Sequence, residues 1–533
     1  MKKILAVIPA RAGSKGVPNK NIRLINDKPL VYYAIKNALD SDLITDIVVT
    51  TDSPEVEIIA KQMGVKCKRR AEHLCTDSAT LDAVIYDACV GMEQDYVVTM
   101  QPTSPTLLPS TLDAAIKHCI DEDLDTVISV INNPHLSWSE KDGQKVPNYK
   151  ERLNRQYLPP YYLETGAFLI SRASIVTEKT RIGHNVDVFE ISQPEAIDVD
   201  TFADLKYVES VLSSQKVAFY VNGNNARGVG HIYRALELAD EFYTKPDIYY
   251  DKNQTDIKVF GQTTHNLIAV DGIGELFGRL QDGSYGLLIN DILDTSIDYM
   301  IAVRKCIPNA KIINFEDDGE GVYKADLVFN ALYQKPDIDH MKAGEKYYIA
   351  AKTFMFYEPI LIKESVEKVF ISFGGADPQH YSDRLLNIVA DEKYSKWKFV
   401  VVLGRAKLNV DELLSFNKYP HIEVLYDVRN MPEIMAGCDI GITSRGRTGY
   451  ELAILGIPSI AMAQNRREEK HGFMSHENGF NYLGLNPSDQ VIQSNLDLYI
   501  NLSKGERQKY QEILLSHDLR GGRKRVMNLI NSL

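Results

Sequence analysis

The sequence predicts an α/β protein built on mainly parallel sheets, and three observations point there. Apolar, β-branched runs such as Ile4–Ile8, Ile47–Thr51, Tyr96–Met100 and Thr126–Val130 alternate with helical patterns such as Leu30–Leu39 and Ser110–Ile120. A strand that runs straight into a glycine-rich loop opens the chain, and the same opening recurs at Lys216–Val221 and at Val369–Gly375. The chain has 533 residues, which at roughly 100–200 residues per domain suggests about three compact units.

Each boundary has a local reason. The helical stretch Phe202–Leu212 and a short Ser-Ser-Gln link precede Lys216, so the main division falls near residue 215. The units expected are 1–215, 216–365 and 366–533, the last two forming two lobes with a cleft between them. No short-period repeat and no low-complexity tail interrupts the pattern.

Composition narrows the classes of function. Hydrophobic residues make up 44% and charged residues 25%, ordinary for a soluble globular protein. A net charge of −12 argues against a long basic groove for nucleic acid, while leaving room for a local cationic pocket. The six cysteines, Cys67, Cys75, Cys89, Cys119, Cys306 and Cys438, form no C-x-x-C pair. They read as reduced thiols of a cytoplasmic protein rather than a disulfide frame or zinc site. The opening Met1–Pro9 is too short an apolar run for a signal peptide and reads as a first buried strand. No apolar run is long enough to span a membrane.

Two groups of residues in the first unit carry chemistry. The loop Pro9–Asn21 combines small residues, which let backbone N–H groups approach an anion, with Arg11, Lys15 and Lys20. That suits phosphate, on which charge shifts as bonds form and break; a plain basic loop is the competing reading. Far downstream, Ala196–Thr201 reads as a strand that alternates Asp198 and Asp200 onto one face. Two carboxylates so directed suit Mg²⁺, which leaves positions for water and phosphate. Taken alone, the pair also fits an acidic strand end.

Together these patches resemble the CMP-sialic acid synthetases. The match rests on Ile8–Gly16, Pro18–Asn21, Gln101–Pro105, Arg155-Gln156 before Leu158–Pro160, Thr165–Phe168 and Asp198–Thr201, in order and in register over nearly all of residues 1–213. The resemblance implies a Rossmann-like nucleotidyltransferase domain that joins CMP from CTP to a nine-carbon α-keto acid. It implies nucleotide contacts from Ala10, Arg11, Asn21, Arg69 or Arg70, Gln101 and Ser104. Arg11, Lys20 and Asp200 would be catalytic, Asp198 and Asp200 would hold Mg²⁺, and Gln101, Arg155 and Thr165 would face the sugar. It also implies a homodimer in which the Arg155 region reaches the neighbour's site. Ala12 and Thr165 depart from the common pattern, and the second leaves the identity of the sugar open.

In the second half, Gly223–Arg234 forms a glycine turn ahead of a helix, with His231 at the helix start. The positive end of the helix dipole disfavours imidazolium there, which suits a general base. A lone histidine is more often structural. Phe373–Asp377 reads as a phosphate loop containing Gly374 and Gly375, and Thr443–Ala453 places Glu451 near a helix start, where a carboxylate can take ribose hydroxyls. This half resembles the nucleotide-sugar hydrolase of pseudaminic acid biosynthesis, and more distantly the two-lobed GT-B glycosyltransferases. The matching patches are Gly228–Arg234, Leu288–Asp291, Gly374–Asp377 and the Glu451 helix followed by Ala463–Asn465. The resemblance implies a GT-B-like region that binds a UDP-linked amino-hexose, with His231 as base, Asp291 as helper and Asn465 near the sugar. Asn222 and the acidic run Glu316-Asp317-Asp318 depart from the relatives and leave the hexose open. A glycosyltransferase and a binding module without chemistry are the competing readings of this half.

Overall fold

The computed structural model describes residues 2–13, 16–76, 78–223, 230–333 and 338–533. The chain divides into two compact units, Met1–Ser214 and Gln215–Leu533.

The first unit is built on a seven-stranded sheet. Its strand order is Val186–Glu190, Thr126–Asn132, Tyr162–Arg172, Tyr96–Met100, Ile4–Pro9, Asp46–Thr51 and Lys66–Arg69. All neighbours run parallel except Tyr162–Arg172, which is antiparallel to both strands beside it. The central strands are buried nearly end to end, which is why they read as unbroken apolar runs rather than alternating ones. The expected helix Leu30–Leu39 forms at those residues and buries Leu30, Val31, Ala34, Ile35 and Ala38. The helix Phe202–Ser213 starts on a capping box between Thr201 and Asp204.

A small apolar cluster beside this sheet positions the site. It joins Val17 from the first loop to Ile197 and Val199, together with Ile25, Leu30, Leu205 and Val208. Val17 and Val199 are fully buried; each such valine contributes about 1.5–3 kcal/mol toward holding its segment down. Residues 197–200 belong to no strand, contrary to the reading of Ala196–Thr201 as one. The alternation survives even so: Ile197 and Val199 point into the cluster, and Asp198 and Asp200 stay exposed.

The second unit holds two parallel sheets. The first runs Asn266–Val270, Asp247–Asp251, Val217–Val221, Leu287–Asp291, Lys311–Phe315, Leu327–Asn330 and Met341–Ala343. The second runs Ile422–Tyr426, Lys398–Leu403, Lys368–Ser372, Ile440–Ser444, Ser459–Ala463 and Phe480–Leu485. Each reverses strand order beside its opening strand, and ligands of such sheets bind beyond the strand C-termini at that point. The last helix, Gly522–Asn531, packs Val526, Met527 and Ile530 into the core of the first of these sheets, with Phe219 and Ile232. The end of the chain thus belongs with the lobe that begins at Val217, not with the 366–533 segment. The whole is an α/β chain: a unit built on one mostly parallel sheet, followed by a unit that holds two parallel sheets. Among the described residues, no helix is long and apolar enough to cross a membrane.

Candidate functional site

In the first unit, the loop after Ile4–Pro9 is pinned from three sides. Ala10 is buried and donates its N–H to the Thr50 carbonyl at 3.0 Å. Ala12 donates to Asp52 Oδ1 at 2.6 Å, and Asn21 Nδ2 donates to the Arg11 carbonyl at 2.9 Å. Asn21 is therefore held as a support of the loop backbone. Ser14 and Lys15 lie outside the described residues.

The far segment meets this loop at close range. A Cβ added to Gly16 would lie 2.5 Å from the Asp200 carbonyl oxygen, so only glycine fits. Lys20 Nζ donates to the Val199 carbonyl at 2.6 Å and to Asp200 Oδ1 at 3.1 Å. Val199 N in turn donates to the Thr103 carbonyl at 2.8 Å, which joins the Gln101–Pro105 turn to the same place. Gly166 has φ +73°, and a Cβ there would sit 3.1 Å from Gln101 Nε2 and 4.0 Å from Asp198 Oδ2. Gln101, Gly166 and Asp198 thus line one small space.

Electrostatics mark the same spot. Crowding by the surrounding protein raises the Asp198 carboxyl above its ordinary value; the Asp200 charge adds to this and Lys20 opposes it. Burial pulls the Arg70 guanidinium below its ordinary value, with Arg11 adding to the effect and Asp52 opposing. Arg70 Nη2 donates to the Thr50 carbonyl at 3.1 Å, but its Nε and the hydroxyls of Ser104 and Thr106 are buried with no partner in the protein, while the Thr103 side chain works against the rise at Asp198. Unpaired buried donors are costly, and binding sites are where they are kept.

Three expected residues stand apart. Arg69 lies 3.9 Å from Glu57 on the neighbouring helix, so of the two arginines Arg70 alone joins Arg11 and Asp52. The Thr165 hydroxyl donates into the sheet, to Ser129 Oγ at 2.8 Å, and is spent on fixing the irregularity in Tyr162–Arg172. Arg155 is exposed and donates to Asn133 Oδ1 at 3.0 Å. Asp52 was not anticipated, and Thr103 was singled out only as part of the Gln101–Pro105 patch, without a role of its own. Nothing in its immediate sequence distinguishes Asp52 from an ordinary strand-end residue.

A cytidylyltransferase family model matches residues 5–223. The chain is 30% identical over 233 residues to the CMP-N,N'-diacetyllegionaminic acid synthase of Legionella pneumophila, covering 40% of this chain and 99% of that protein. This chain belongs to the cytidylyltransferase family. It is also 28% identical over 214 residues to N-acylneuraminate cytidylyltransferase A of Danio rerio, which takes in 39% of this chain and 50% of that longer relative. Among solved structures, the Anabaena protein HepE in complex with UDP-glucose covers 60% of this cytidylyltransferase chain and 100% of its own, at 12% identity and TM-score 0.41.

In the second unit, His231 stands in the first turn of the helix Gly230–Ala239, beside the C-terminal end of Leu287–Asp291. Gly228 and Val229 lie outside the described residues. His231 Nδ1 is 2.6 Å from Asp291 Oδ1. A carboxylate accepts, so Nδ1 is the donor of this pair, and in a neutral ring Nε2 is the acceptor. Asp291 is fully buried, and Arg234 holds its carboxyl below the usual range despite that burial. Arg234 also reaches Glu316 Oε1 at 3.0 Å.

The second lobe presents backbone and orphaned polar groups at its strand ends. Gly374 has φ +73°, and Gly404 backs onto the Gly374-Gly375 turn so closely that a Cβ would lie 2.1 Å from the Gly374 carbonyl oxygen. Thr443 Oγ1 and Gln464 Oε1 are buried without a partner in the protein. Glu451 sits in the helix Arg447–Ile454, its carboxyl pushed up to about 7 by burial against the opposing charge of Arg447. The Asn465 side-chain Oδ1 accepts the Glu468 N–H at 2.9 Å, so its side-chain acceptor is occupied within its own turn. The acidic run plays structural parts. Asp317 is buried and accepts from Thr295 and Asn314, while Asp318 pairs with Lys470 at 3.1 Å. Arg467 grips Asp294 through two bonds of 2.8 and 2.9 Å, tying the second lobe to the first.

Proposed function

We propose that this chain carries two activities on activated sugars. The first unit joins CMP from CTP to a nine-carbon α-keto acid of the sialic, legionaminic or pseudaminic type, releasing pyrophosphate. The region from residue 215 hydrolyses a UDP-linked amino-hexose.

The observation that carries the first activity is the meeting of Gly16 and Lys20 with the Val199-Asp200 segment, across nearly the whole unit. The backbone of the first loop, Arg11, Lys20 and Arg70 supply positive charge for a triphosphate. Gln101, Ser104 and Gly166 line the adjoining space for base and sugar. Asp198 and Asp200 fit Mg²⁺, because that ion takes few carboxylates and fills its other positions with water and phosphate. Bound there, the ion would offset phosphate charge. What the chain itself does is fix the two substrates in line and keep Lys20 beside the anion. A second copy of the chain completes the assembly through the exposed arm around Arg155, Tyr157 and Tyr161. The test is pyrophosphate release from CTP with sialic, legionaminic and pseudaminic acids. Asp198→Ala and Asp200→Ala abolish it; near-normal release in both removes the metal assignment.

For the second activity the carrying observation is the His231–Asp291 pair at a strand-end switch point. With Nδ1 protonated, Nε2 takes a proton from water as the water attacks the sugar. Gly374, Gly375 and the Arg447–Ile454 helix start offer N–H groups to a diphosphate, and Glu451 offers a carboxylate to ribose. Incubation with UDP-linked amino-hexoses releases UDP without an acceptor, and His231→Ala loses that release. Strict dependence on an acceptor makes this half a transferase, and binding without turnover makes it a non-catalytic module.

A further inference from the structure

Sequence spacing places His231 and Arg234 on one face of their helix, three residues apart. That face meets the end of Leu287–Asp291, and the contact is unusually complete. Arg234 Nε donates to Asp291 Oδ2 at 2.7 Å, and Nη2 donates to Oδ1 at 2.6 Å. Oδ1 is the same oxygen that lies 2.6 Å from His231 Nδ1, and Nη2 itself sits 3.3 Å from that nitrogen; the nearer carboxylate can only accept, so Nδ1 is the donor. The guanidinium is clamped from its far side as well. Nη1 donates to Glu316 Oε1 at 3.0 Å, and Glu316 is itself held by the Ala331 and Leu332 N–H groups at 3.2 and 3.3 Å. The Phe315 ring lies under the guanidinium, 5.3 Å from centroid to Cζ. Arg234, Asp291 and Glu316 are all buried, so none of these bonds is exchanged with water.

We propose that Arg234 and Glu316 are positioning residues that lock the Asp291 carboxylate, so that it takes the His231 Nδ1 proton and leaves Nε2 as the sole acceptor of the ring. A carboxylate held by histidine alone can rotate and present either oxygen. A planar guanidinium bonded to both oxygens removes that freedom. Glu316 matters because Arg234 has a second charge to satisfy: without an acceptor for Nη1, the fork would have reason to turn away from Asp291. The other charged or titratable groups packed on this cluster are Arg447, whose Cδ approaches Gly230, the phenols of Tyr348, Tyr450 and Tyr333, and Arg467, which donates to the Glu316 carbonyl at 3.2 Å. Among the described residues, these groups bond elsewhere and not to the ring or to Asp291. The arrangement also accounts for Glu316 at the head of the acidic run: its side chain serves the histidine from behind rather than a sugar.

The consequence for turnover rests on reading His231 as the base; the tautomer does not. The experiment therefore has two readouts on the full chain. The first is the ¹⁵N spectrum of labelled histidine, with His231 assigned by its loss in His231→Gln. Wild type shows a single Nδ1–H tautomer at alkaline pH. Arg234→Lys, which reaches one carboxylate oxygen, and Glu316→Gln, which keeps size and one acceptor, both show mixed tautomers. Asp291→Asn, whose amide can donate, shows the inverted form and serves as the control. The second readout is UDP release, where kcat falls about tenfold in Glu316→Gln while KM stays within about twofold. A pure Nδ1–H tautomer in both Arg234→Lys and Glu316→Gln overturns the proposal. So does an Nε2–H tautomer in wild type. Absence of UDP release from wild type, with the tautomers shifting as stated, sinks the hydrolase reading and leaves the positioning role intact.

Discussion

Replacing Gly16 by alanine tests the closeness of the first loop and the aspartate segment with a single methyl group. The added carbon would lie 2.5 Å from the Asp200 carbonyl oxygen and 3.6 Å from its carbon. Contact begins near 3.4 Å, so loop and segment must part by most of an ångström. Gly16 does not occupy the left-handed region, so the effect comes from this contact and not from backbone strain. The carbonyl belongs to the residue that carries one of the two carboxylates, and Val199 beside it is locked in the apolar cluster with Val17. The displacement therefore falls on the carboxylates. A misplacement of about 1 Å at a reacting centre costs about a hundredfold in rate. Stability should change far less, because Gly16 itself is exposed. The assay is pyrophosphate release with CTP and a nonulosonic acid, alongside the thermal midpoint. Activity within twofold of wild type would refute the stated geometry.

Three more outcomes follow from the same reasoning. Asp198→Asn abolishes pyrophosphate release yet raises the ligand-free thermal midpoint at neutral pH. The folded chain raises this carboxyl, so its ionisation destabilises as pH climbs past the ordinary value, and an amide escapes that penalty. A lower midpoint in the variant contradicts this. The Glu451 carboxyl is pushed up to about 7, so it ionises between pH 6 and 8; relative to Glu451→Gln, UDP affinity rises across that interval, as isothermal titration would show. Arg467→Ala removes the two-bond grip on Asp294 together with bonds to the Tyr333 hydroxyl and the Glu316 carbonyl; the ion pair, whose partners both keep solvent access, accounts for about 1 kcal/mol of the lost stability. Only that part of the loss shrinks in high salt, and a wholly salt-independent loss would leave the ion pair without a contribution.

Much of the architecture was legible because it is written in local periodicity. Leu30–Leu39 could be bounded to the residue, since its apolar stripe starts after a proline and ends at Asp40. The meeting of the first loop with Asp198 and Asp200 was legible for a different reason. The alternation of Ile197 and Val199 with the aspartates is a burial pattern, and it survives although no strand forms there. What stayed hidden depended on contacts between distant segments. Consecutive arginines at 69 and 70 look alike until a sheet edge turns one to Glu57 and the other to Asp52. Thr165 reads as a polar residue facing a sugar, but a strand irregularity turns its hydroxyl onto Ser129. Asp294 and Arg467 are separated by 173 positions, and Gly522–Asn531 returns to a core that began near residue 217. No local signal announces either pairing.

The most direct measurement replaces magnesium by Fe²⁺ in the presence of CTP and maps where peroxide and ascorbate cut the backbone. One shared metal–triphosphate site predicts cuts both in the loop around residues 10–16 and around residues 198–200, with both sets lost in Asp198→Ala. Cuts confined to one of those segments, or unchanged in the variant, would contradict it.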